Sequence, residues 1–261
     1  MASEISPKAS VSPNAKIGDG CKIYPFAYIE DDVVIGDNCI IYPYVSILNG
    51  TRMGNGNKIH QGTVIAALPQ DFEFHGEPSA CILGNNNTIR ENVVINRATH
   101  SDGQTVIGDK NFLMEGVHIS HDTKISDYCV FGYGTKIAGN CEIHRNVIFS
   151  TGVIENAGTR VGECAMLQAG TTFSKDVPPY AIFGGNPLKY GGVNTTLGRL
   201  LGADDKVLKH IANAYRLLFR GQTSAFDATL QIKQQVPDGP QIRKIVDFLS
   251  TTKAGIVTKL S

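Results

Sequence analysis

An aliphatic or aromatic residue recurs every six positions along most of the chain. The series comprises Ile5, Val11, Ile17, Ile23, Ile29, Ile35, Ile41, Ile47, Met53, Ile59, Ile65, Leu83, Ile89, Ile95, Ile107, Leu113, Ile119, Ile125, Phe131, Ile137, Ile143, Phe149, Val161, Leu167 and Phe173. After Ile107 only Glu155 breaks it. A period of six matches neither a helix nor a simple alternating sheet, but it suits a parallel β-helix in which each hexapeptide forms one short strand and one corner.

The residue two positions before each member of the series is usually small. Five of the six cysteines, Cys21, Cys39, Cys81, Cys129 and Cys141, occupy this small position, and the chain has no CxxC pair. We therefore predict that these cysteines are buried packing residues and neither metal ligands nor nucleophiles.

Two polar segments that contain Gly interrupt the series without changing its phase. They span residues 66–82 and 96–106. We predict that they are loops projecting from a rigid scaffold, which is where functional residues are commonly found.

The repeat ends near residues 176–187, where prolines are expected to stop strand pairing. Beyond them the chain has the apolar periodicity and acidic first turn of helices. The predicted helical segments are 204–220, 224–235 and 240–251. We therefore predict an all-β solenoid domain over residues 1–190 and a C-terminal helical domain over 191–261, which covers the open end of the solenoid.

The charge is balanced overall but not along the chain. The chain has 24 basic and 24 acidic side chains, which argues against a nucleic-acid partner. From Arg199 to Ser261, however, ten Lys and Arg face five Asp and no Glu. Such a tail suits an acidic partner, although a set of solvated helix faces would have the same charge. Without a signal peptide or a run of about 18 apolar residues, we expect a cytoplasmic protein with no membrane insertion.

Chains with this six-residue signature resemble the hexapeptide-repeat acyltransferase superfamily. The resemblance implies a left-handed parallel β-helix with three hexapeptides per coil, so that residues 18 apart stack at about 4.8 Å. Gly139 then lies over His121 and leaves a slot beside the imidazole. Histidine suits proton transfer near neutral pH, and a Gly N–H can stabilise an oxyanion. These two parts suffice for acyl transfer from a thioester to a hydroxyl, and Asp122 is close enough in sequence to fix the imidazole tautomer.

Several motifs resemble a more specific family, the UDP-N-acetylglucosamine O-acyltransferases that begin lipid A synthesis. They are LMEGVHISHD, PQDFEFHGEPS, IRENVVINRAT, GNP at 185–187 and GGVN at 191–194. The resemblance implies transfer of an (R)-3-hydroxyacyl group from acyl carrier protein to the glucosamine 3-hydroxyl of UDP-N-acetylglucosamine. It also implies a cytoplasmic homotrimer with active sites between subunits, no metal and no other cofactor.

The same resemblance assigns roles to individual residues. His121 matches the general base, Gly139 the oxyanion donor and His118 a substrate-contacting histidine. Gln70 and Asp71 match the loop that holds the sugar.

The resemblance is weaker around the nucleotide. Asn194 matches a nucleotide contact, but Leu200 and Leu201 fall where the family has paired arginines, and Arg199 is our candidate to replace one of them. The other departures are Asn140 for a histidine, Asn156 and Ala157 for a His-Gln pair, and Glu73 for a lysine.

Ala169 matches the residue that limits acyl-chain length in this family, and a small residue there predicts a long chain. His121 and Ala169 are 48 residues apart, two coils plus two faces, so they lie on different faces of one prism. One groove can include both only if neighbouring subunits pack together, which supports the trimer.

Three alternatives remain open on sequence alone. A CoA-dependent sugar or serine acetyltransferase would have the same fold. A metalloenzyme similar to the γ-class carbonic anhydrases would need His118, His121 and His144 to converge from three different repeat positions. A structural solenoid would explain the repeat but not the two loops.

The histidines other than His118 and His121 are assigned to packing or surface positions: His60, His75, His100, His144 and His210.

Overall fold

The structure, a computed structural model, describes residues 2–220 and 224–257. The described chain consists of 28 short strands in three sheets, followed by four helices. Within the coil stack, each strand pairs in parallel with the strands of the coils before and after it. This is the predicted parallel β-helix. Strand pairing does not define its hand, for which the resemblance predicts the left-handed form.

The three sheets form the faces of the prism. The first sheet contains β1 (Glu4–Ile5), β4 (Lys22–Ile23), β7 (Ile40–Ile41), β10 (Lys58–Ile59), β13 (Thr88–Ile89), β16 (Phe112–Leu113), β19 (Val130–Phe131), β22 (Ile148–Phe149), β25 (Met166–Leu167), β27 (Ala181–Gly184) and β28 (Lys189–Val193). The second contains β2 (Ser10–Val11), β5 (Tyr28–Ile29), β8 (Ser46–Ile47), β11 (Val64–Ala67), β14 (Val94–Asn96), β17 (His118–Ile119), β20 (Lys136–Ile137), β23 (Ile154–Glu155) and β26 (Thr172–Phe173). The third contains β3 (Lys16–Ile17), β6 (Val33–Ile35), β9 (Thr51–Met53), β12 (Ala80–Leu83), β15 (Gln104–Ile107), β18 (Lys124–Ile125), β21 (Glu142–Ile143) and β24 (Arg160–Val161).

The strand register confirms a coil of 18 residues. Glu4 pairs with Lys22, and Val130 pairs with Ile148. From Ile23 to Phe173, no member of the six-residue series is more than 4 % exposed. Each fully buried aliphatic side chain contributes about 1.5 to 3 kcal/mol, so this interior column is the main source of stability. The cysteines are free and buried, as predicted for the small position.

Both interruptions keep the phase because they lengthen a coil by a multiple of six residues. Lys58 pairs with Thr88 across the first, and Thr88 pairs with Phe112 across the second, which adds twelve and six residues respectively. Every series residue beyond them therefore still points into the core.

The projecting segments are shorter than predicted. Strands β11 and β12 extend into the range 66–82, and β14 and β15 extend into 96–106. What projects is residues 68–79, here called the first loop, and residues 97–103, the second loop.

Strand pairing continues beyond the prolines that were expected to end it. β27 pairs in parallel with β25, and β28 pairs antiparallel with β27. Pro178 and Pro179 precede β27, so their missing N–H groups remove no ladder hydrogen bond. β28 also crosses the domain boundary predicted between residues 190 and 191.

The helices are α1 (Thr195–Leu200), α2 (Asp205–Arg220), α3 (Ala225–Gln235) and α4 (Pro240–Ser250). The last three lie where the apolar pattern predicts them, and α1 was not predicted. The Tyr215 hydroxyl donates to the Pro179 carbonyl, and the Asp176 N–H donates to the Gly255 carbonyl at 2.9 Å. The helices thus cover the C-terminal end of the coils, as expected. Within the described ranges, no helix is long and apolar enough to cross a bilayer.

Candidate active site

His121 lies in the turn that follows β17, at the corner between the second and third sheets. Ile119, two positions earlier, is fully buried and fixes the strand against the core. The His121 side chain is 12 % exposed, so one edge of the ring remains accessible. The repeat therefore holds a half-buried imidazole at a rigid corner.

The Nδ1 side of His121 contacts a carboxylate and a hydroxyl. Nδ1 lies 2.8 Å from Asp122 Oδ2 and 2.9 Å from Thr99 Oγ1. The Asp122 carboxylate, which can only accept, is hydrogen-bonded to Nδ1, whereas the carboxylate nearest Nε2, that of Asp71, lies farther away at 3.3 Å. The geometry therefore favours the proton on Nδ1 and the lone pair on Nε2. The contact with Asp122, which adjacency alone did not guarantee, is present.

The second loop supplies Thr99, which sequence reasoning did not identify. Thr99 is 1 % exposed, and its N–H donates to Asp122 Oδ2 at 3.0 Å. Thr105, just beyond this loop, accepts a hydrogen bond from the Asp122 N–H at 2.9 Å. The only sequence signal for Thr99 was its place in an inserted loop. The repeat does not specify the path of the inserted residues, so it could not show that Thr99 reaches His121.

The first loop brings a carboxylate to the opposite side of the ring. Asp71 Oδ2 lies 3.3 Å from His121 Nε2, so the imidazole stands between two carboxylates. The second loop supports the first: the Asp102 N–H donates to the Pro78 carbonyl at 3.0 Å, and the Arg97 guanidinium lies 5.4 Å from the Phe74 ring centroid. Of the two predicted sugar contacts, Asp71 lies beside His121, whereas the exposed side chain of Gln70 has no hydrogen bond to His121 in the part of the chain that the structure describes.

Gly139 packs against the imidazole as predicted. A Cβ on Gly139 would lie 2.5 Å from Cε1 and 2.6 Å from Nε2 of His121. At another corner of the coil, the residue equivalent to Gly139 is Asp19. Its N–H donates to the side chain of the residue one coil later, Asp37 Oδ1, at 2.8 Å. Ala157 stands in that place above Gly139 and has no such oxygen. Among the described residues, the Gly139 N–H accordingly has no hydrogen-bond acceptor.

We expect Gly139→Ala to lower kcat by about a hundredfold, because the new Cβ displaces the imidazole and small misplacements of a reacting group carry penalties of that order. Gly139 does not have a positive φ, so the change adds no backbone strain. Steady-state kinetics and a melting curve check this result. Gly239→Ala is the control, since its Cβ meets nothing within 4 Å. Full activity of the Gly139 variant would show that the ring tolerates displacement.

His118 lies in β17 with a half-buried ring. Its Nε2 is 3.1 Å from Ser120 Oγ. Burial, followed by the nearby charge of Lys136, lowers the pKa of His118, which keeps the ring neutral near pH 7. A neutral ring suits the predicted substrate contact.

The other predicted site residues are not joined to His121 by any hydrogen bond or ion pair among the described residues. Asn194 is 4 % exposed; its Oδ1 accepts from the Leu197 N–H to cap α1, and its Nδ2 donates to the Cys164 carbonyl at 3.1 Å. The Asn194 amide is thus engaged in holding α1, and its nucleotide contact stays a prediction. Arg199 is exposed and paired with Asp205 at 3.1 Å, and Ala169 is exposed in the turn that follows β25 of the first sheet.

No three His, Cys, Asp or Glu side chains converge as metal ligands would in the described ranges. His144, which the metalloenzyme alternative requires, instead packs edge-on against Phe248 of α4, with ring centroids 5.9 Å apart. The residues at the centre are of the types that proton transfer and oxyanion stabilisation require.

An imidazole hydrogen-bonded to a carboxylate, next to a backbone N–H that has no acceptor among the described residues, fits an acyltransferase of the hexapeptide β-helix fold. Comparisons with known proteins identify the family within this class of enzymes. Residues 14–49 and 32–67 match the family model for bacterial transferase hexapeptide repeats, and residues 176–257 match the second domain of Udp N-acetylglucosamine O-acyltransferase.

Full-length relatives agree with these matches. The acyl-[acyl-carrier-protein]–UDP-N-acetylglucosamine O-acyltransferase of Halorhodospira halophila is 34% identical over 254 residues, 97% of this chain and 98% of the relative. The crystal structure of a UDP-N-acetylglucosamine acyltransferase from Bacteroides fragilis has a TM-score of 0.95 at 45% identity, covering 97% of this chain and 99% of that one. One from Francisella novicida has a TM-score of 0.94 at 31% identity, covering 97% and 94%. The chain belongs to the UDP-N-acetylglucosamine O-acyltransferase family.

Proposed function

We propose that this chain transfers an (R)-3-hydroxyacyl group from acyl carrier protein to the glucosamine 3-hydroxyl of UDP-N-acetylglucosamine, the first step of lipid A biosynthesis. The observation that carries the proposal is the His121 centre: a base with its lone pair on Nε2, beside an uncommitted N–H of Gly139. Family membership supports the choice of donor and acceptor.

The mechanism is a single displacement. His121 Nε2 takes the proton of the sugar hydroxyl while that oxygen attacks the thioester carbonyl. The Gly139 N–H stabilises the oxyanion of the tetrahedral intermediate. The C–S bond then breaks, and the imidazolium returns its proton to the departing thiolate. Asp122 stabilises the imidazolium between the two transfers.

No covalent acyl-enzyme forms in this mechanism. Burial raises the pKa of Cys141 and Cys129 to about 12, so neither thiol is available as a thiolate near neutral pH. The acyl group passes directly from one substrate to the other.

The sugar is held on the Nε2 side of His121. Asp71 is 3.3 Å from that nitrogen, so its carboxylate can accept a hydrogen bond from another hydroxyl of a sugar whose reacting hydroxyl donates to His121. Gln70 of the same loop and His118 of β17 complete this proposed sugar site. Arg199, with the loop of Asn194, serves the nucleotide.

The donor is a carrier protein rather than CoA. Exposed cations of α2, namely Lys206, Lys209 and Arg216, present positive charge beside the covered end of the coils. Such a surface attracts an acidic carrier protein by long-range electrostatics. We also propose a homotrimer, because His121 and Ala169 lie at different corners of the prism, after β17 and β25 respectively, and can line one groove only between subunits.

An assay of the purified chain tests this proposal. UDP-N-acetylglucosamine is offered with a series of (R)-3-hydroxyacyl carrier proteins, and with the same acyl groups and acetyl on CoA. We expect a product bearing one acyl group, released by mild alkali as an ester is, from the carrier-protein donors. Preferred turnover of acetyl-CoA would favour the sugar or serine acetyltransferase instead.

We expect Ala169→Met to shorten the preferred donor by several carbons, because the longer side chain occupies the end of the acyl groove. The same donor series measures the change. Ala2→Met is the matched control, since it adds the same bulk to an exposed alanine in the first coil, far along the stack from Ala169. An unchanged length profile would remove Ala169 from the groove.

A further inference from the structure

We propose that Thr99 is a positioning residue for the general base, holding His121 and Asp122 together so that His121 Nε2 carries the lone pair. The inference rests on the proposed function, because it concerns the base of that reaction. Its basis is that Thr99 contacts both members of the pair, through its hydroxyl and through its backbone N–H.

The hydroxyl acts on the imidazole. Thr99 Oγ1 and Asp122 Oδ2 lie 2.9 Å and 2.8 Å from the same nitrogen, Nδ1 of His121. Asp122 Oδ2 can only accept, so it favours a proton on Nδ1, and Thr99 Oγ1 then serves as a second acceptor that shares the same N–H. Two contacts at one nitrogen also restrict rotation of the ring about its bond to Cβ. The remaining nitrogen, Nε2, is then unprotonated and correctly aimed before the sugar arrives.

The N–H acts on the carboxylate. It donates to Oδ2 of Asp122, the oxygen that faces Nδ1, at 3.0 Å. Asp122 itself has a φ of 58°, a left-handed conformation that its own N–H stabilises by donating to Thr105 Oγ1 at 2.9 Å. Two threonines therefore fix the backbone and the side chain of Asp122, and through it the orientation of His121.

The second loop is built to hold Thr99 in place. Thr99 is 1 % exposed, although it belongs to a projecting segment. On either side of it, the Ala98 N–H donates to the Ala80 carbonyl at 3.4 Å, and the Gly103 N–H donates to the His100 carbonyl at 2.9 Å. The six residues that this loop adds to the coil thus deliver one buried hydroxyl and one N–H to the Nδ1 side of the base.

Three substitutions separate the hydroxyl from packing. Thr99→Val keeps the shape and removes the hydroxyl, Thr99→Ser keeps the hydroxyl and removes the methyl, and Thr99→Ala removes both. The backbone N–H remains in all three. We expect kcat to fall about tenfold in the Val and Ala variants, the effect of losing one hydrogen bond, and to stay within about threefold of the wild type in the Ser variant. KM for the sugar nucleotide stays unchanged, because Thr99 does not touch substrate.

A packing role would give the opposite order, with Val active and Ser impaired, and would overturn the inference, as would equal activity in all three. If the Val variant does not fold, the comparison of the Ser and Ala variants still tests the role of the hydroxyl, because both lack the threonine methyl group and only Ser keeps the hydroxyl. Thr99→Val in an Asp122→Asn background is expected to lose much less than tenfold, since the two residues act through one ring. Wild-type protein without any turnover would count against the proposed function, whereas active wild type with an unaffected Val variant would count against Thr99 alone.

Discussion

Replacement of His121 by alanine is expected to lower kcat by roughly two to four orders of magnitude, as removal of a general base does. The carboxylates on either side do not replace the imidazole: Asp122 lies on the Nδ1 side, and Asp71 lies near Nε2 but offers a carboxylate, which is a weaker base than an imidazole. Binding of the sugar nucleotide should persist, because the first loop and the helical domain are unchanged. Initial rates with saturating donor, together with calorimetric binding of UDP-N-acetylglucosamine, measure the two effects separately.

His75→Ala is the control for this change, because His75 is an exposed histidine of the first loop. It should retain normal turnover. Near-normal turnover in the His121 variant would sink the assignment of the base, whereas loss of binding together with kcat would mean that the imidazole holds the sugar instead of deprotonating it.

The repeat could be predicted from sequence because one physical requirement recurs at each position. A buried, closely packed interior needs an apolar residue every six positions, and the 18-residue register follows once three such strands close a coil. The same register brought Gly139 over His121. Within the repeat, a spacing of 18 residues in the sequence therefore predicts that two residues stack in the structure.

The partners that the two loops bring to His121, one at each ring nitrogen, could not be predicted in this way. Asp71 and Thr99 lie in the two inserted loops, whose paths depend on contacts between the loops, such as that of Arg97 with Phe74. A period specifies where a strand returns but not how an insertion folds. The resemblance identified Asp71, and nothing in the repeat identified Thr99.

The region after the coils shows a second limit of prediction from the sequence. Asn194 followed by Thr-Thr-Leu has the character of a helix N-cap, and its side chain does cap α1. The resemblance predicts a nucleotide contact for Asn194, and the capping role was not among the predictions. β28 was missed because two glycines, Gly191 and Gly192, disfavour a strand by propensity, although pairing with β27 overrides that preference.

Glu155 is the one residue that breaks the six-residue series after Ile107, and the structure places it inside the prism. It is 0 % exposed. Its Oε1 accepts from Thr159 Oγ1 at 2.9 Å, while Oε2 has no hydrogen-bond partner among the described residues. Burial raises the pKa of Glu155 to about 8 from an ordinary value of 4.5. The native state therefore holds a neutral carboxylic acid at a position where the remaining coils have an apolar side chain.

This buried acid makes stability depend on pH. Because the folded-state pKa lies above the unfolded-state value, the native protein keeps a proton that the unfolded chain releases between pH 4.5 and 8. The free energy of unfolding accordingly falls as pH rises through this window. The difference between the two pKa values corresponds to a destabilisation on the order of 5 kcal/mol above pH 8.

Glu155→Leu is expected to raise the free energy of unfolding by several kcal/mol at pH 8.5 and by much less at pH 5, because it restores an apolar residue that cannot ionise. Thr159 loses one acceptor but still donates to the Asn156 carbonyl at 2.8 Å, so no hydroxyl is stranded. Urea unfolding at a fixed protein concentration between pH 5 and 9 measures the effect. Glu155→Gln is the matched control: it keeps an acceptor for Thr159 and has no charge, so its advantage over the wild type should also grow with pH. Parallel pH curves for the wild type and the Gln variant would mean that Glu155 does not release a proton on unfolding, and that its place in the core has another cause.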